Sequence, residues 1–252
     1  MSRPPASRPP WFARSAEPLP TPDRHGVTMT RLNRRHATLA TATALVGAAG
    51  LSPNASAQNV ALQEGRNFRR LPKRLASTPG KIEVLEFFLY TCPHCFDFET
   101  QMGPWIKTLP ANVEFKHVHV AFQAVTKHYQ RLYFALDAMG VEKQFRSVIF
   151  TAIHRQGNPL DTPEAVVKLL GPLGLDAAKF NATFNAFGVN ARINSANQLA
   201  AAYTIDGVPT LGIGGLYLTS PEMARNGERV PADVSGQRAV AIANQLIASI
   251  KA

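Results

Sequence analysis

The hydrophobic pattern of this chain is irregular near its start and becomes periodic after residue 80. Residues 81–90, "KIEVLEFFLY", are apolar on both pleat faces and rich in aromatic and branched side chains, which predicts a buried central strand. A helix should open around Thr91 to Pro93, with Thr91 as its cap and Pro93 in the first turn, where a missing N–H costs nothing. Gly103-Pro104 should kink or end it. Residues 113–120 then alternate Val113, Phe115, His117 and His119 against Glu114, Lys116, Val118 and Val120, and read as a second strand.

The period changes in the following eighty residues. Leu132, Ala135, Leu136 and Met139 recur at helical spacing up to Gly140, and Phe145, Val148, Ile149, Ala152 and Ile153 do the same before Gly157. "DTPEAVVKLLG" has a cap, an early Pro and a closing Gly, while Asp176 opens a segment with Phe180, Phe184 and Phe187 down one side. Residues 190–203 complete this helical block. "GVPTLGIGGLYLTS" then gives two short strands around Gly214-Gly215, and residues 235–251 a terminal helix. The order is strand, helix, strand, helical block, hairpin, helix. With the block at residues 126–203 treated as an insert, an α/β domain over residues 81–252 remains, a βαβ unit followed by ββα, which is the thioredoxin arrangement.

The residues before this domain carry a different message. From Met29, the preferred start, come Arg31, Arg34 and Arg35, an apolar run over residues 37–51 and then Ala55-Ser56-Ala57. A basic segment, an apolar segment and an A-x-A site together predict an export signal cleaved after Ala57. The Arg34-Arg35 pair leaves the twin-arginine and general secretory routes both open. Residues 58–80 are polar, with Pro near the end, and read as an N-terminal arm.

Charge narrows the function classes. Of the net +10, residues 1–57 supply half, with seven Arg against two acidic residues. The remainder is scattered without basic runs or interleaved aromatics, which argues against nucleic-acid binding. Beyond the N-terminal region there is no apolar run of membrane-spanning length.

The two cysteines of the chain, Cys92 and Cys95, stand in "VLEFFLYTCPHCFDFE". Such a pair can be half a zinc site, a structural disulfide or a redox dithiol. Zinc needs about four ligands, and no second C-x-x-C exists; His94, His117 and His119 are the only nearby candidates. A disulfide closing so small a loop would restrict the unfolded chain very little. The redox reading therefore leads, at a strand-to-helix junction of an exported chain, without metal or cofactor. Cys92 at the helix N-terminus would face free N–H groups and the positive end of the helix dipole, which favour its thiolate, and His94 could add charge beside the sulfur. Cys95, one turn inside, would be the resolving thiol. Glu86, on the pleat face of Val84 and Phe88, is a candidate to exchange protons with Cys95, since an unpaired carboxylate in an apolar strand should hold its proton more tightly. Its alternative is an acid at a strand edge, solvated or paired with a lysine.

These residues, together with "GVPTLGIGGLY", resemble the DsbA family of periplasmic thiol:disulfide oxidoreductases from about Lys81 onward. The Cys92-Pro93-His94-Cys95 centre carries the likeness. The resemblance implies a thioredoxin fold with an inserted helical subdomain, and an oxidase that passes its disulfide to unfolded exported proteins with free cysteines. It further implies reoxidation by a membrane partner of the DsbB type, a periplasmic location and a monomer. It matches Val208-Pro209 to a cis-proline loop beside the cysteines that presents backbone groups to a bound peptide, with Phe96 as a further part of the groove. The hairpin region through Arg229 is longer than usual in the family, and the insert has no cysteine pair of its own. Two other readings stay open from sequence: a disulfide reductase or isomerase, and a non-catalytic exported peptide-binding protein.

Overall fold

The computed structural model describes residues 60–76 and 78–250. The expected start at Met29 and the cleavage site after Ala57 lie outside the described residues. Among the described residues, five strands form one mixed sheet: β1 (Arg69–Arg70), β2 (Ile82–Phe88), β3 (Val113–His119), β4 (Thr210–Ile213) and β5 (Tyr217–Thr219), in the spatial order β1-β5-β4-β2-β3. β2 runs parallel to β3 and antiparallel to β4, so it is bonded on both edges, as its continuous apolar run requires. Its two faces bury different partners. Ile82 and Val84 pack against α1 (Pro93–Ile106) and α8 (Ala232–Ser249), while Leu85 and Phe87 face the helices inserted between β3 and β4.

That helical block comprises α2 (Lys127–Ala138), α3 (Glu142–Gln156), α4 (Pro163–Leu170), α5 (Ala177–Phe184) and α6 (Phe187–Ala202). Its boundaries follow local chemistry. Thr162 and Asp176 accept backbone N–H bonds from Ala165 and Lys179 as N-caps, and Gly157 ends α3 at φ 64°. The fold is a thioredoxin fold carrying an all-helical insert.

Four local expectations change. Of the kink or end expected at Gly103-Pro104, the end does not occur: α1 continues through both to Ile106. An interior proline costs roughly 3 kcal/mol, and the last turn is held by burial of Met102 and Trp105, the Trp105 Nε1–H donating to Asn244 Oδ1 on α8 at 2.8 Å. The cap of α1 is Cys92 rather than Thr91, and no side chain caps it. Phe187 does not extend the Phe180–Phe184 stripe, because α5 ends between them and Phe187 is left exposed. Finally, the polar arm contributes β1, an edge strand antiparallel to β5, with Leu71 and Leu75 donating N–H bonds to the carbonyls of Leu216 and Gly215. The turn that receives this arm places Gly214 and Gly215 at φ 58° and 65°, a conformation that L side chains rarely adopt.

Candidate active site

The β2-to-α1 junction sets the two sulfurs in different surroundings. Cys92 is the extended N-cap residue, and its carbonyl accepts the N–H bonds of Cys95 and Phe96 at 3.1 Å each. Pro93 fills the first helical position, where its lack of an N–H leaves nothing unpaired. Both cysteines are free thiols, Cys92 half-buried and Cys95 fully buried.

Electrostatics separate them further. The Cys92 thiol is lowered to about 6, first by the hydrogen bond from the Cys95 thiol, against the opposing effect of burial; the backbone N–H groups of Cys95 and His94 and the His94 charge assist. Burial raises Cys95 well above the ordinary thiol range, and the hydrogen bond and charge of Cys92, then the charge of Glu86, push the same way. The pair therefore favours one thiolate on Cys92 with the Cys95 proton retained.

The Val208–Pro209 peptide is cis and lies against the sulfur, the Val208 carbonyl standing 3.6 Å from Cys92 Sγ, where it accepts from the thiol when Cys92 is protonated. From there a cleft of about 500 Å³ opens between the arm, the start of α1 and the segment after β5. Its apolar wall includes Phe98, Val208, Pro209, Leu218 and Met223, and its rim carries Arg69, His94, Asp97 and Glu222. The long region after the hairpin is the source of part of this wall: it forms α7 (Pro221–Ala224), capped by Ser220. Phe96 is not among the lining residues. It stacks on His154 of α3 at 5.0 Å between ring centroids, with the Arg155 guanidinium at 5.1 Å from its ring.

Glu86 is neither solvated nor paired with a lysine, and the expectation that it lacks a partner is also corrected. It is fully buried, its Oε2 lying 2.6 Å from His117 Nδ1 on β3 and 3.3 Å from Arg146 Nη2 on α3. Burial raises its pKa to about 7 even though the Arg146 charge pulls it down. Arg146 also bonds Glu99 of α1 and Glu142 of α3, and Glu142 accepts the Tyr90 hydroxyl hydrogen bond at 2.8 Å. Sequence reasoning missed Arg146, Glu99, Glu142 and Tyr90. A signal existed in α3, where Glu142 and Arg146 occupy the helical row that continues into the buried Ile149 and Phe150.

A thioredoxin-type sheet with an activated thiol at a helix N-terminus, a buried thiol one turn on and an X-Pro loop against them defines a dithiol–disulfide oxidoreductase. The sequence narrows that class. Residues 83–232 match the model of the DSBA-like thioredoxin domain, and the chain belongs to that family. It is 39% identical over 176 residues to the thiol:disulfide interchange protein DsbA of Burkholderia cepacia, spanning 69% of this chain and 82% of the relative. The Bordetella pertussis protein of the same name is 43% identical over 155 residues, 62% of this chain and 74% of that one. Among solved structures, Pseudomonas aeruginosa DsbA superimposes with a TM-score of 0.65 at 33% identity, covering 73% of this chain and 94% of that chain. The oxidoreductase DsbA from Xylella fastidiosa gives 0.64 at 28% identity, over 75% and 99%. The chain is accordingly a thiol:disulfide oxidoreductase.

Proposed function

We propose that the protein is an exported disulfide donor acting on unfolded proteins with free cysteines in the periplasm, as a monomer recharged by a membrane reoxidase of the DsbB type. The observation that carries the reading is the contrast between the two thiols, Cys92 lowered to about 6 and Cys95 raised by burial. A disulfide whose reduced form holds a stabilised thiolate is a strong oxidant, because that stabilisation favours handing the bond to another dithiol.

A client thiolate attacks Cys92 Sγ, the Cys92–Cys95 bond breaks, and Cys95 leaves with the electron pair and takes a proton from Glu86. A second client thiolate attacks the client sulfur of the mixed disulfide, forming the client's bond and releasing the Cys92 thiolate. Two electrons pass to Cys92 and Cys95. In recharging, the steps reverse against the reoxidase's disulfide, and Glu86 takes the Cys95 proton.

His94 and Pro93 hold the Cys92 thiolate at the helix start. Val208 and Pro209 offer backbone groups to the client beside the cleft. The stacking of Phe96 on α3 gives it a supporting part in that surface rather than a wall of the cleft. No helix among the described residues is long and apolar enough to cross a membrane.

The test uses a reduced unfolded client carrying a single cysteine, so that no second client thiol can release the mixed disulfide. Cys95→Ser, loaded at Cys92 as an activated mixed disulfide, should exchange onto the client and stall there, while Cys92→Ser should form no adduct. Adducts of equal yield through both sulfurs would contradict the assignment of the attacked cysteine.

A further inference from the structure

Arg146 sits where four elements meet. Its guanidinium lies 4.0 Å above the Phe88 ring and 5.2 Å from the Phe150 ring, which fix its plane. Within that plane it reaches three carboxylates. Nε donates to Glu99 Oε2 at 2.9 Å and Nη2 to Glu99 Oε1, Nη1 donates to Glu142 Oε1 at 3.2 Å, and Nη2 also approaches Glu86 Oε2 at 3.3 Å. His117, from β3, closes the cluster against Glu86 at 2.6 Å, and burial holds its imidazole neutral, well below its ordinary value.

One cation facing three carboxylates leaves uncompensated negative charge in a space nearly closed to water. An unpaired buried charge is among the costliest arrangements in a protein, so such a cluster keeps a proton. Geometry says where. Glu99 takes Arg146 on both oxygens and is 22% exposed; Glu142 takes both Arg146 and the Tyr90 hydroxyl. Glu86 is wholly buried, has the longest contact to the guanidinium, and its Oε1 has no hydrogen-bond partner.

We infer that Arg146 is a positioning residue for disulfide exchange: by dividing its hydrogen bonds among Glu99, Glu142 and Glu86 it sets how tightly the proton of this cluster is held on Glu86. The inference rests on the proposed exchange of that proton with Cys95. The groups facing Glu86 are Cys95 and Glu99 from α1, His117 from β3, Arg146 from α3 and Tyr133 from α2; Glu142 and, two residues past β2, Tyr90 are joined to it through Arg146. Of these, Arg146 is the cation that touches it, and Glu99 competes with it for the same nitrogen. Glu99 lies four residues after Cys95 on α1, so movement of the active-site helix acts on that competition directly.

A purely structural clamp and a proton-setting residue differ in sign. The test follows the Glu86 carboxyl by carbon NMR in the reduced full chain, its signal identified by loss in Glu86→Gln, alongside the rate of disulfide exchange against pH. Glu99→Gln releases Arg146 toward Glu86 and removes a neighbouring negative charge, so Glu86 should lose its proton at least about threefold more readily. Arg146→Met should move the same midpoint the opposite way. If Arg146→Met does not fold, Arg146→Lys, which keeps the charge but gives up the shared guanidinium hydrogen bonds, takes its place, and its midpoint should rise too. An unmoved midpoint, an upward move in Glu99→Gln, or parallel moves in both variants would overturn the inference. Midpoints displaced as stated while the exchange-rate profile stays fixed would instead sustain Arg146 in holding the proton and remove Glu86 from the exchange step.

Discussion

Glu86 on β2 and His117 on β3 are register partners across the parallel strand pair, and a carboxyl oxygen of one lies 2.6 Å from Nδ1 of the other. One proton serves this contact, either donated by Nδ1 to the carboxylate or by the carboxyl to Nδ1. Burial raises the acid to about 7 and lowers the imidazole to about 3, so a neutral pair is favoured over an ion pair until the carboxyl ionises.

The stability of the reduced protein should fall as pH rises toward neutrality because of Glu86. An unfolded glutamate releases its proton near 4.3, the folded one at about 7. Between those values the folded chain binds more protons than the unfolded one, so its advantage is present below the window and lost through it, on the order of 3 kcal/mol in all. Glu86→Gln should remove that dependence, equalling the parent near pH 4.5 and exceeding it at pH 8 by up to about that amount, while turning over disulfides more slowly. Denaturant midpoints at the two pH values check it; parallel curves for the two proteins would contradict it.

The causes that lower the Cys92 thiol rank Cys95 above His94. Cys95→Ala, which removes the thiol donor, should therefore raise the Cys92 titration midpoint more than His94→Leu, which removes only the side-chain charge. The thiolate absorbance of each reduced variant gives the two midpoints. The reverse order would mean that the residue between the cysteines, and not the buried thiol, governs the nucleophile.

Gly212 on β4 is held small by its neighbours. A Cβ there would lie 2.6 Å from a ring carbon of Tyr203 and 3.2 Å from Phe87, both buried. Gly212→Ala should cost roughly 1–3 kcal/mol through this overpacking, and Gly212→Ala combined with Tyr203→Leu should recover part of the loss. Urea midpoints of the single and double variants measure the coupling; a silent single substitution would contradict the packing.

Much of this was legible because it rests on local pattern. The run from Ile82 to Phe88 announced a strand bonded on both sides, the caps at Thr162 and Asp176 announced α4 and α5, and the spacing of Cys92 and Cys95 after that strand announced the redox centre. What stayed hidden depends on contacts between segments far apart. Arg69 and Arg70 are exposed and polar, and become a strand only through the backbone of the hairpin near Leu216, some 145 residues on. Pro104 left a kink or a stop open because the burial of Trp105 against α8, which carries the helix on, cannot be read locally. Glu86 was singled out by its apolar surroundings; Arg146 shares a helical row with buried Ile149 and Phe150, but that row does not name its partners, and only the fold brings it onto Glu86 and Glu99.

As a disulfide donor, the protein should give up its Cys92–Cys95 bond readily to other dithiols. The most direct measurement is the redox equilibrium of the protein with reduced and oxidised glutathione at pH 7, following that bond. A lowered Cys92 thiol predicts a potential well above the glutathione couple, with the dithiol form dominant even in mostly oxidised glutathione. A potential down in the thioredoxin range would contradict the donor role and make the protein a reductase on the same fold.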